Sequence, residues 1–348
     1  MDAQNLEILV QEKILIIQTA FLGDSVLTLP MIQKLKEKFP GSILKVLCIP
    51  STKELFESSP YVDEAIVYDK RGKQKSFWDY LKLIKQINEQ KFTRVYSPHR
   101  SLRSSVLVLV SGAKDSFGFD IASGSFFYRT RIKYFSSRHE VARNLDLIGY
   151  DTSNEKWKIL PVVSISSEVE TKIKKMIESA GNKKIMAVAP GSVWSTKIYP
   201  QDYFIEVISS LVSQNYYVIL LGGNEDEKLC SNIAQKFNAG VESFAGKLSV
   251  IESIALMRKC SLLISNDSAP THLGMIADIP TITIYCSTVP EFGFYPYNQK
   301  SKSLSLDGLK CKPCGIHGHM ECPIKTFDCG KKLLPEVLIE SIKELLHR

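Results

Sequence analysis

Short apolar runs alternate with helical segments along this chain, and the alternation occurs twice. Runs such as Ile14–Ile17 and Val218–Leu221 contain no polar residue, which is typical of parallel strands buried on both faces. Between them, apolar residues recur at helical spacing. Strands that alternate with helices predict parallel sheets covered by helices. Two successive arrays in 348 residues predict two domains, because a single core rarely grows to this size.

The sequence therefore predicts an α/β chain of two doubly wound domains, at residues 1–165 and 166–330, followed by a last segment at 331–348. The expected strands are 13–17, 43–49, 64–68, 94–97, 184–189, 217–221, 262–264 and 281–285. The expected helices are 25–39, 53–58, 77–89, 201–214, 225–237, 249–259, 269–277 and 335–347. In open α/β sheets, ligands bind at the carboxyl ends of the strands, so the loops that follow the strands are the candidate site.

Composition and charge narrow the class of protein. Hydrophobic residues make up 44% of the chain and charged residues 23%, an ordinary globular balance. The apolar runs are far shorter than the ~20 residues that span a bilayer. The first residues also lack the basic start and long apolar run of a signal peptide. We therefore expect a cytoplasmic protein.

The net charge of +7 is concentrated in the first half. The basic residues there are Lys70, Arg71, Lys73, Lys75, Arg100, Arg103, Arg129, Arg131, Lys133, Arg138 and Arg143. Such a face can attract nucleic acid, an anionic membrane surface or a phosphorylated substrate, or can simply be solvated. Because the chain has no nucleic-acid-binding motif, nucleic acid is the least favoured partner.

Two strand-end loops of the second half suit a phosphorylated ligand. Pro190–Lys197 combines a glycine, three hydroxyl side chains and a lysine, although it lacks the P-loop pattern. Asn266–His272 lies where a strand meets a helix, so the free amides of that helix start can hold an anion. Asp267 or Ser268 can cap this helix. Taken alone, the first loop is more often an ordinary loop, and the second can be an ordinary helix cap followed by a proline.

Two further loops leave alternatives open. In Gly222–Glu225 the carboxylate can bind ribose hydroxyls, as acidic residues do in dinucleotide folds, or can simply complement a helix dipole. In Phe21–Asp24 of the first half, Gly23 permits close approach of a ligand. Asp24 can accept a proton from a substrate hydroxyl, or can serve the start of the helix.

Taken together, these motifs resemble glycosyltransferase family 9, the heptosyltransferases of lipopolysaccharide core assembly. The resemblance spans about residues 13–298. It is carried by Gly23-Asp24 with Pro30, Pro190-Gly191 with Lys197 and Pro200, Gly222-Gly223 with Glu225, Gly246, Asn266-Asp267-Ser268 with His272, and Pro280. Within the family, 98–104 and Gly112 resemble heptosyltransferase II more than heptosyltransferase I.

The resemblance implies a GT-B fold, in which two Rossmann-like domains face a central cleft and the last helix packs back on the first domain. It implies an inverting enzyme that moves heptose from ADP-L-glycero-D-manno-heptose to Kdo-lipid A or heptosyl-Kdo-lipid A, phosphorylated acceptors of the lipopolysaccharide core. Such an enzyme works in the cytoplasm, peripherally at the inner face of the cytoplasmic membrane.

The resemblance also implies a role for each candidate residue. Asp24 is the general base. Ser192 and Lys197 hold the diphosphate and the transferred sugar of the donor. Glu225 binds the ribose, Leu248 packs on the adenine, and Asp267 bonds to the heptose hydroxyls. The leaving diphosphate is neutralised by the amides of Ser268 and Ala269 together with His272. The acceptor is held by His99, Arg100 and Arg103.

No metal or other cofactor is expected, because an Asp-x-Asp motif is absent and the helix dipole and lysine can replace a cation electrostatically. The chain departs from the family where Ala269 replaces a usual glycine, and where Pro270-Thr271 replaces bulkier apolar residues. The alternatives are a transferase of the same fold that uses another nucleotide-activated sugar, and a non-catalytic nucleotide-sugar-binding protein.

The eight cysteines fall into two groups. Cys48, Cys230, Cys260 and Cys286 lie in apolar surroundings and are predicted to be buried. Cys311, Cys314, Cys322 and Cys329 cluster near the C-terminus with His317 and His319. This cluster can bind a structural metal, form disulfides or remain as reduced thiols, and a zinc-dependent regulatory module is a further alternative for the chain.

Overall fold

The computed structural model describes residues 11–70 and 72–346. Arg71 of the predicted basic face, His347 at the end of the last predicted helix and the first ten residues lie outside them. By their contacts, the residues divide into two compact units, Met1–Tyr134 with Arg143–Asn154 and Phe135–Ala142 with Glu155–Arg348. The predicted domain limits at 165 and 330 stay predictions.

The first unit contains a parallel sheet in the order β3-β2-β1-β4-β5-β6. Its strands are β1 Lys13–Ile17, β2 Ile43–Cys48, β3 Glu64–Val67, β4 Arg94–Ser97, β5 Asp115–Phe119 and β6 Thr130–Ile132. The helices in this part of the chain are α1 Leu22–Lys38, α2 Lys53–Glu57, α3 Phe77–Glu89, α4 Leu102–Val110 and α5 Glu140–Asp146. Leu83 and Ile87 of α3 and Leu107 of α4 pack with Leu15 and Val95 of the sheet.

The second unit contains a parallel sheet in the order β12-β11-β10-β7-β8-β9. Its strands are β7 Ile185–Ala189, β8 Tyr217–Leu220, β9 Val241–Ser243, β10 Cys260–Asn266, β11 Thr281–Tyr285 and β12 Lys302–Ser305. Its helices are α6 Ser167–Met176, α7 Gln201–Ser213, α8 Glu227–Ala234, α9 Val250–Met257, α10 Ala269–Ala277, α11 Asp328–Lys331 and α12 Pro335–Leu346.

The last helix, α12, packs against α7 within the second unit. Leu338 and Ile342 of α12 join the same core cluster as Leu211 of α7. Each fully buried aliphatic side chain of this kind contributes about 2 kcal/mol to folding. The predicted packing of this helix on the first domain stays a prediction.

Both sheets have the Rossmann strand order, since each has its first and fourth strands side by side at the centre. The sequence prediction of an α/β, doubly wound architecture is therefore confirmed. The order reverses between β1 and β4 and between β7 and β10, so the chain leaves these neighbouring strands in opposite directions. The gap that results at the carboxyl ends of each pair is where ligands bind in such folds.

None of the helices in the described residues is long and apolar enough to cross a membrane. The prediction of four buried cysteines is confirmed for Cys48, Cys230, Cys260 and Cys286.

Candidate functional site

The two loops at the switch point of the second sheet are joined by the side chain of Asn266. This asparagine is fully buried at the end of β10. Its Nδ2 donates to the carbonyl oxygen of Pro190, 2.7 Å away, and its Oδ1 accepts from the backbone N–H of Tyr199 at 3.0 Å. The bonds fix the path of the Pro190–Lys197 loop beside β10. The sequence shows an asparagine at a strand end but not which loop its amide would hold.

Lys197 and Asp267, both predicted to bind the donor, form an ion pair in this gap. The Nζ–Oδ2 distance is 2.7 Å, and both side chains are nearly buried. The hydroxyl of Thr288, which follows β11, donates to the same carboxylate oxygen at 2.7 Å. The structure thus brings together one cation and one carboxylate that are shielded from water, where their interactions with a ligand are strong.

The start of α10 differs from its prediction. Ser268 is the N-cap residue, but its side chain makes no capping hydrogen bond. Its hydroxyl donates instead to the carbonyl oxygen of Gly191 at 3.4 Å, and Asp267 is engaged by Lys197. The prediction that one of these side chains caps the helix is therefore wrong. Ala269 begins the helix and is half-buried, so the positive end of the helix dipole lies beside Lys197 and Asp267.

His272 lies on the first turns of α10 and is buried. Burial lowers the pKa of its imidazole to about 4, with Asp267 opposing the shift and Lys197 adding to it. Its Nδ1 has no hydrogen-bond partner among the described residues. The imidazole is therefore neutral at physiological pH, so it can offer a hydrogen bond to a ligand but does not by itself neutralise an anion.

The loop after β8 carries two adjacent carboxylates, of which the predicted one, Glu225, is the more exposed. Glu225 is exposed on a short 3-10 helix, Asn224–Asp226. Its neighbour Asp226 accepts a hydrogen bond from the backbone of Gly223 at 2.9 Å, and burial raises the pKa of its carboxyl. Asp226 also lies so close to Gly191 that a Cβ there would collide with it. Asp226 thus organises the loops, and Glu225 is left facing solvent.

Two remaining donor candidates lie beside these loops. Ser192 is half-buried directly after Gly191, and Leu248 is half-buried directly before Ser249, the N-cap of α9. Both therefore follow the carboxyl ends of strands of the same sheet.

Residues 314–319, here called the clasp segment, are bound to the Pro190–Lys197 loop. The N–H of Thr196 donates to the carbonyl of His319 at 3.1 Å, and the N–H of His319 donates to Oγ1 of Thr196 at 2.8 Å. The N–H of Cys314 donates to the carbonyl of Ser287 at 2.8 Å. The imidazole of His317 stacks on Trp194 with a centroid distance of 5.9 Å. This contact could not be predicted from the sequence.

The first unit has a pocket of about 350 Å³ at its own switch point. Its lining comes from the loops after β1, β2, β3 and β4, namely Thr19, Ala20, Phe21, Ile49, Pro50, Ser51, Asp69, Lys70 and His99. The Nζ of Lys70 donates to the carbonyl of Thr19 at 2.6 Å. Nδ1 of His99 lies 3.0 Å from the hydroxyl of Thr19 and 2.9 Å from that of Ser104.

The predicted acceptor residues behave differently from one another. His99 lines the pocket, and burial, aided by Lys70 and Arg100, lowers the pKa of its imidazole to about 4. The guanidinium of Arg100 lies over the ring of Tyr134, 4.4 Å from its centroid. Arg103 is exposed on the first turn of α4. Asp24, the predicted base, is half-buried in the first turn of α1, three residues after Phe21 of the pocket.

The C-terminal cysteines are free thiols, of which Cys311 is exposed and Cys329 is buried. Within residues 11–70 and 72–346, no three His, Cys, Asp or Glu side chains are grouped so that they could hold a metal ion.

Two Rossmann-like sheets, each with polar loops at its switch point, define an α/β protein of the GT-B type. The family model for glycosyltransferase family 9 (heptosyltransferase) matches residues 80–325. The chain belongs to this family and is a glycosyltransferase.

Known proteins agree with this assignment. Lipooligosaccharide heptosyltransferase 2 of Campylobacter jejuni is 26% identical over 339 residues, which cover 96% of this chain and 99% of that protein. Among solved structures, a family 9 glycosyltransferase from Veillonella parvula has a TM-score of 0.83 at 23% identity, covering 96% of this chain and 97% of that one. The ADP-heptose heptosyltransferase II of Escherichia coli has a TM-score of 0.79 at 20% identity, covering 96% and 98%. These structures share the fold.

Removing the cation of the buried pair should destabilise the second unit. In Lys197→Met, the carboxylate of Asp267 stays buried without its cation, so we expect a loss of about 3 kcal/mol in the free energy of unfolding. Adding Asp267→Asn should restore part of this loss. Urea unfolding measures both. Lys302→Met, which breaks the more exposed pair with Glu344, is the matched control and should cost less than about 1 kcal/mol.

Acid should weaken the fold through His272. Because its folded pKa of about 4 lies below the ordinary 6.5, the stability that it contributes is complete above pH 6.5 and is lost as the pH falls towards 4. The loss is about 3 kcal/mol across that window. His272→Gln should flatten this part of the pH dependence of unfolding, whereas His319→Gln, at an exposed side chain, should not. If the free energy of unfolding changed equally with pH in both variants, the assignment of this pH dependence to His272 would be contradicted.

The clasp segment should hold the Pro190–Lys197 loop in place through Gly318. This residue has φ of +75°, and a Cβ there would lie 2.7 Å from Oγ of Ser287 and 2.9 Å from Oγ1 of Thr196. Gly318→Ala should therefore displace the clasp segment from the loop and raise the hydrogen-exchange rates of the Thr196 and His319 amides, which bond across this contact. Gly315→Ala is the matched control, since Gly315 also has positive φ but nothing within 4 Å of its Cβ position.

Proposed function

We propose that this chain transfers heptose from an ADP-activated donor to the inner core of lipopolysaccharide. Membership of the heptosyltransferase family gives the reaction class, and the names of its relatives suggest the sugar and the acceptor. The observation that carries the proposal is the buried Lys197–Asp267 pair beside the start of α10. It combines a cation for a diphosphate with a carboxylate for sugar hydroxyls.

The pair suggests how the donor binds. A diphosphate carries more charge than a carboxylate and can attract Lys197 away from Asp267, helped by the positive end of α10. Asp267, still held by Thr288, is then free to accept hydrogen bonds from the heptose hydroxyls. The ion pair thus keeps both groups in place until the donor separates them.

The leaving group of the reaction is ADP, on which negative charge develops as the glycosidic bond breaks. Lys197 and the amides at the start of α10 lie ready to stabilise this charge, and preorganised groups of this kind supply much of enzymatic rate enhancement. His272, neutral at physiological pH, adds a hydrogen bond. This arrangement supports the proposal of a metal-independent transfer.

The remaining assignments complete the proposal. Glu225 and Leu248 contact the ribose and adenine, and Ser192 contacts the diphosphate. The pocket of the first unit holds the acceptor, because Lys70 and His99 line it and a lysine favours a phosphorylated core. Asp24 takes the proton from the acceptor hydroxyl, which then attacks the anomeric carbon from the face opposite ADP and inverts its configuration. Such an enzyme acts in the cytoplasm on a lipid-anchored acceptor.

The identity of the donor can be tested directly. Purified protein is incubated with extracted core lipids and a panel of ADP-heptose, ADP-glucose and UDP-sugars, and products are identified by mass. We expect turnover with ADP-heptose only, and a product anomer opposite to that of the donor by NMR. Turnover with a different nucleotide sugar would favour the alternative donor.

Asp24→Asn should separate catalysis from binding. Loss of a general base typically lowers kcat by about 10² to 10⁴, while the dissociation constant for ADP should stay within a few-fold. Asp79→Asn is the matched control, because Asp79 occupies the first turn of α3 as Asp24 does in α1, and it should retain kcat. Undiminished turnover by Asp24→Asn would remove this residue from the mechanism.

A further inference from the structure

Large apolar side chains stand out from one edge of the first unit. Phe126 is 72% exposed, Trp78 71% and Phe77 69%. Leu102 and Ile121 are also exposed. Soluble proteins rarely leave several such groups together in water without a use for them. We name this set of five residues the aromatic edge.

The segments that carry these five residues contact one another; Ser123, two residues after Ile121, donates its N–H to the carbonyl of Arg100, two residues before Leu102. Phe77 and Trp78 begin α3, and the hydroxyl of Tyr80, one turn further, donates to the backbone carbonyl of Arg103 at the start of α4. Leu102, beside Arg103, packs against Gly124, which directly precedes the short 3-10 helix Ser125–Phe127 that carries Phe126.

The aromatic edge belongs to the same edge of the sheet as the pocket. Its residues follow β3, β4 and β5, and the strands of this sheet are parallel. The pocket is lined by loops after β1 to β4. An object that contacts the aromatic edge therefore lies at the end of the sheet where the pocket opens.

Basic side chains surround these apolar groups. Lys73 and Lys75 precede Phe77, Arg103 follows Leu102, and Arg129 follows Phe126; all four are exposed. Within the part of the chain that the structure describes, none of the four takes part in an ion pair. Their charge is therefore available to an anionic partner.

Exposed aromatic rings among free cations match the surface of an anionic bilayer. Tryptophan and phenylalanine favour the boundary between headgroups and acyl chains, and lysine and arginine favour anionic headgroups. A second copy of this chain would bring like charges together, which argues against it as the occupant.

We propose that the aromatic edge docks on an anionic lipid bilayer, with Phe77, Trp78 and Phe126 inserted between the headgroups. This inference deepens the proposed function, since it rests on a lipid-anchored acceptor and adds the surface that would bring the pocket to it. It gives the peripheral membrane contact a definite location on the molecule.

The test uses the whole protein and lipid vesicles in the absence of any sugar donor. Binding to phosphatidylglycerol–phosphatidylcholine vesicles, measured by flotation, should exceed binding to phosphatidylcholine alone and should weaken with salt. Phe77→Ser with Trp78→Ser should lower binding at least tenfold. Leu334→Ser with Val337→Ser, which removes two exposed apolar side chains of the second unit, is the control and should leave binding unchanged.

Two further measurements separate charge from insertion. Lys73→Gln with Lys75→Gln should lower binding to anionic vesicles about 25-fold, at roughly fivefold for each cation removed. Brominated lipids should quench tryptophan fluorescence in the wild type but not in Trp78→Phe.

Several outcomes would overturn the proposal. One is equal vesicle binding by the aromatic-edge variant and its control. Another is a dimer in sedimentation that the Phe77/Trp78 variant dissolves, which would make a second copy the occupant. Because vesicle binding needs neither donor nor acceptor, it can succeed even if heptose transfer fails. The Phe77/Trp78 variant should turn over a detergent-dispersed acceptor as fast as the wild type does. A loss of this turnover would show that the substitutions disturb folding rather than membrane docking.

Discussion

The reversal of strand order at the centre of each sheet is the constraint on which the candidate site depends. β7 and β10 are neighbours, yet their connections diverge, so a gap opens at their carboxyl ends that no backbone fills. The amide of Asn266 spans this gap and holds Pro190 and Tyr199 in place. Without such a link the first loop would lack a fixed path, and Lys197 would have no set position relative to Asp267.

Burial gives the polar groups of this gap their properties. The side chains of Lys197 and Asp267 are nearly buried, so the attraction between their charges is weakly screened by water. Burial in the same surroundings lowers the pKa of His272, so its imidazole stays neutral. Within the candidate site, the charge of Lys197 is thus paired with that of Asp267. His99 in the first unit follows the same rule.

Much of the fold could be predicted because its central strands are apolar on both faces. The bounds of β1, β4, β11, α3 and α10 coincide with prediction. β6, α4, α5 and α6 were missed, and three further missed strands have weak patterns. β9 (Val241–Ser243) and β12 (Lys302–Ser305) are half-buried edge strands with polar residues, and β5 contains a glycine among its alternating residues. Short edge strands carry little periodicity, so propensity cannot identify them.

For the site, the sequence could identify the loops but not the orientation of every side chain. Glu225 and Asp226 are adjacent carboxylates, and only their packing shows that Asp226 faces Gly191. Ser268 has the residue type of a cap, yet it bonds to Gly191 instead. The contact between the clasp segment and Thr196 could not be predicted from the sequence, because it joins residues that are far apart in the chain.

That contact spans 123 positions and sets the order in which the Pro190–Lys197 loop can be completed during synthesis. A chain leaving the ribosome exposes Thr196 long before His319 exists, so β7 and β10 can pair while the loop still lacks its clasp. Domains generally fold as they emerge, but the Pro190–Lys197 loop must wait for residues that are synthesised much later. In the nascent protein, the two central strands of the second sheet can therefore pair before the candidate site is complete.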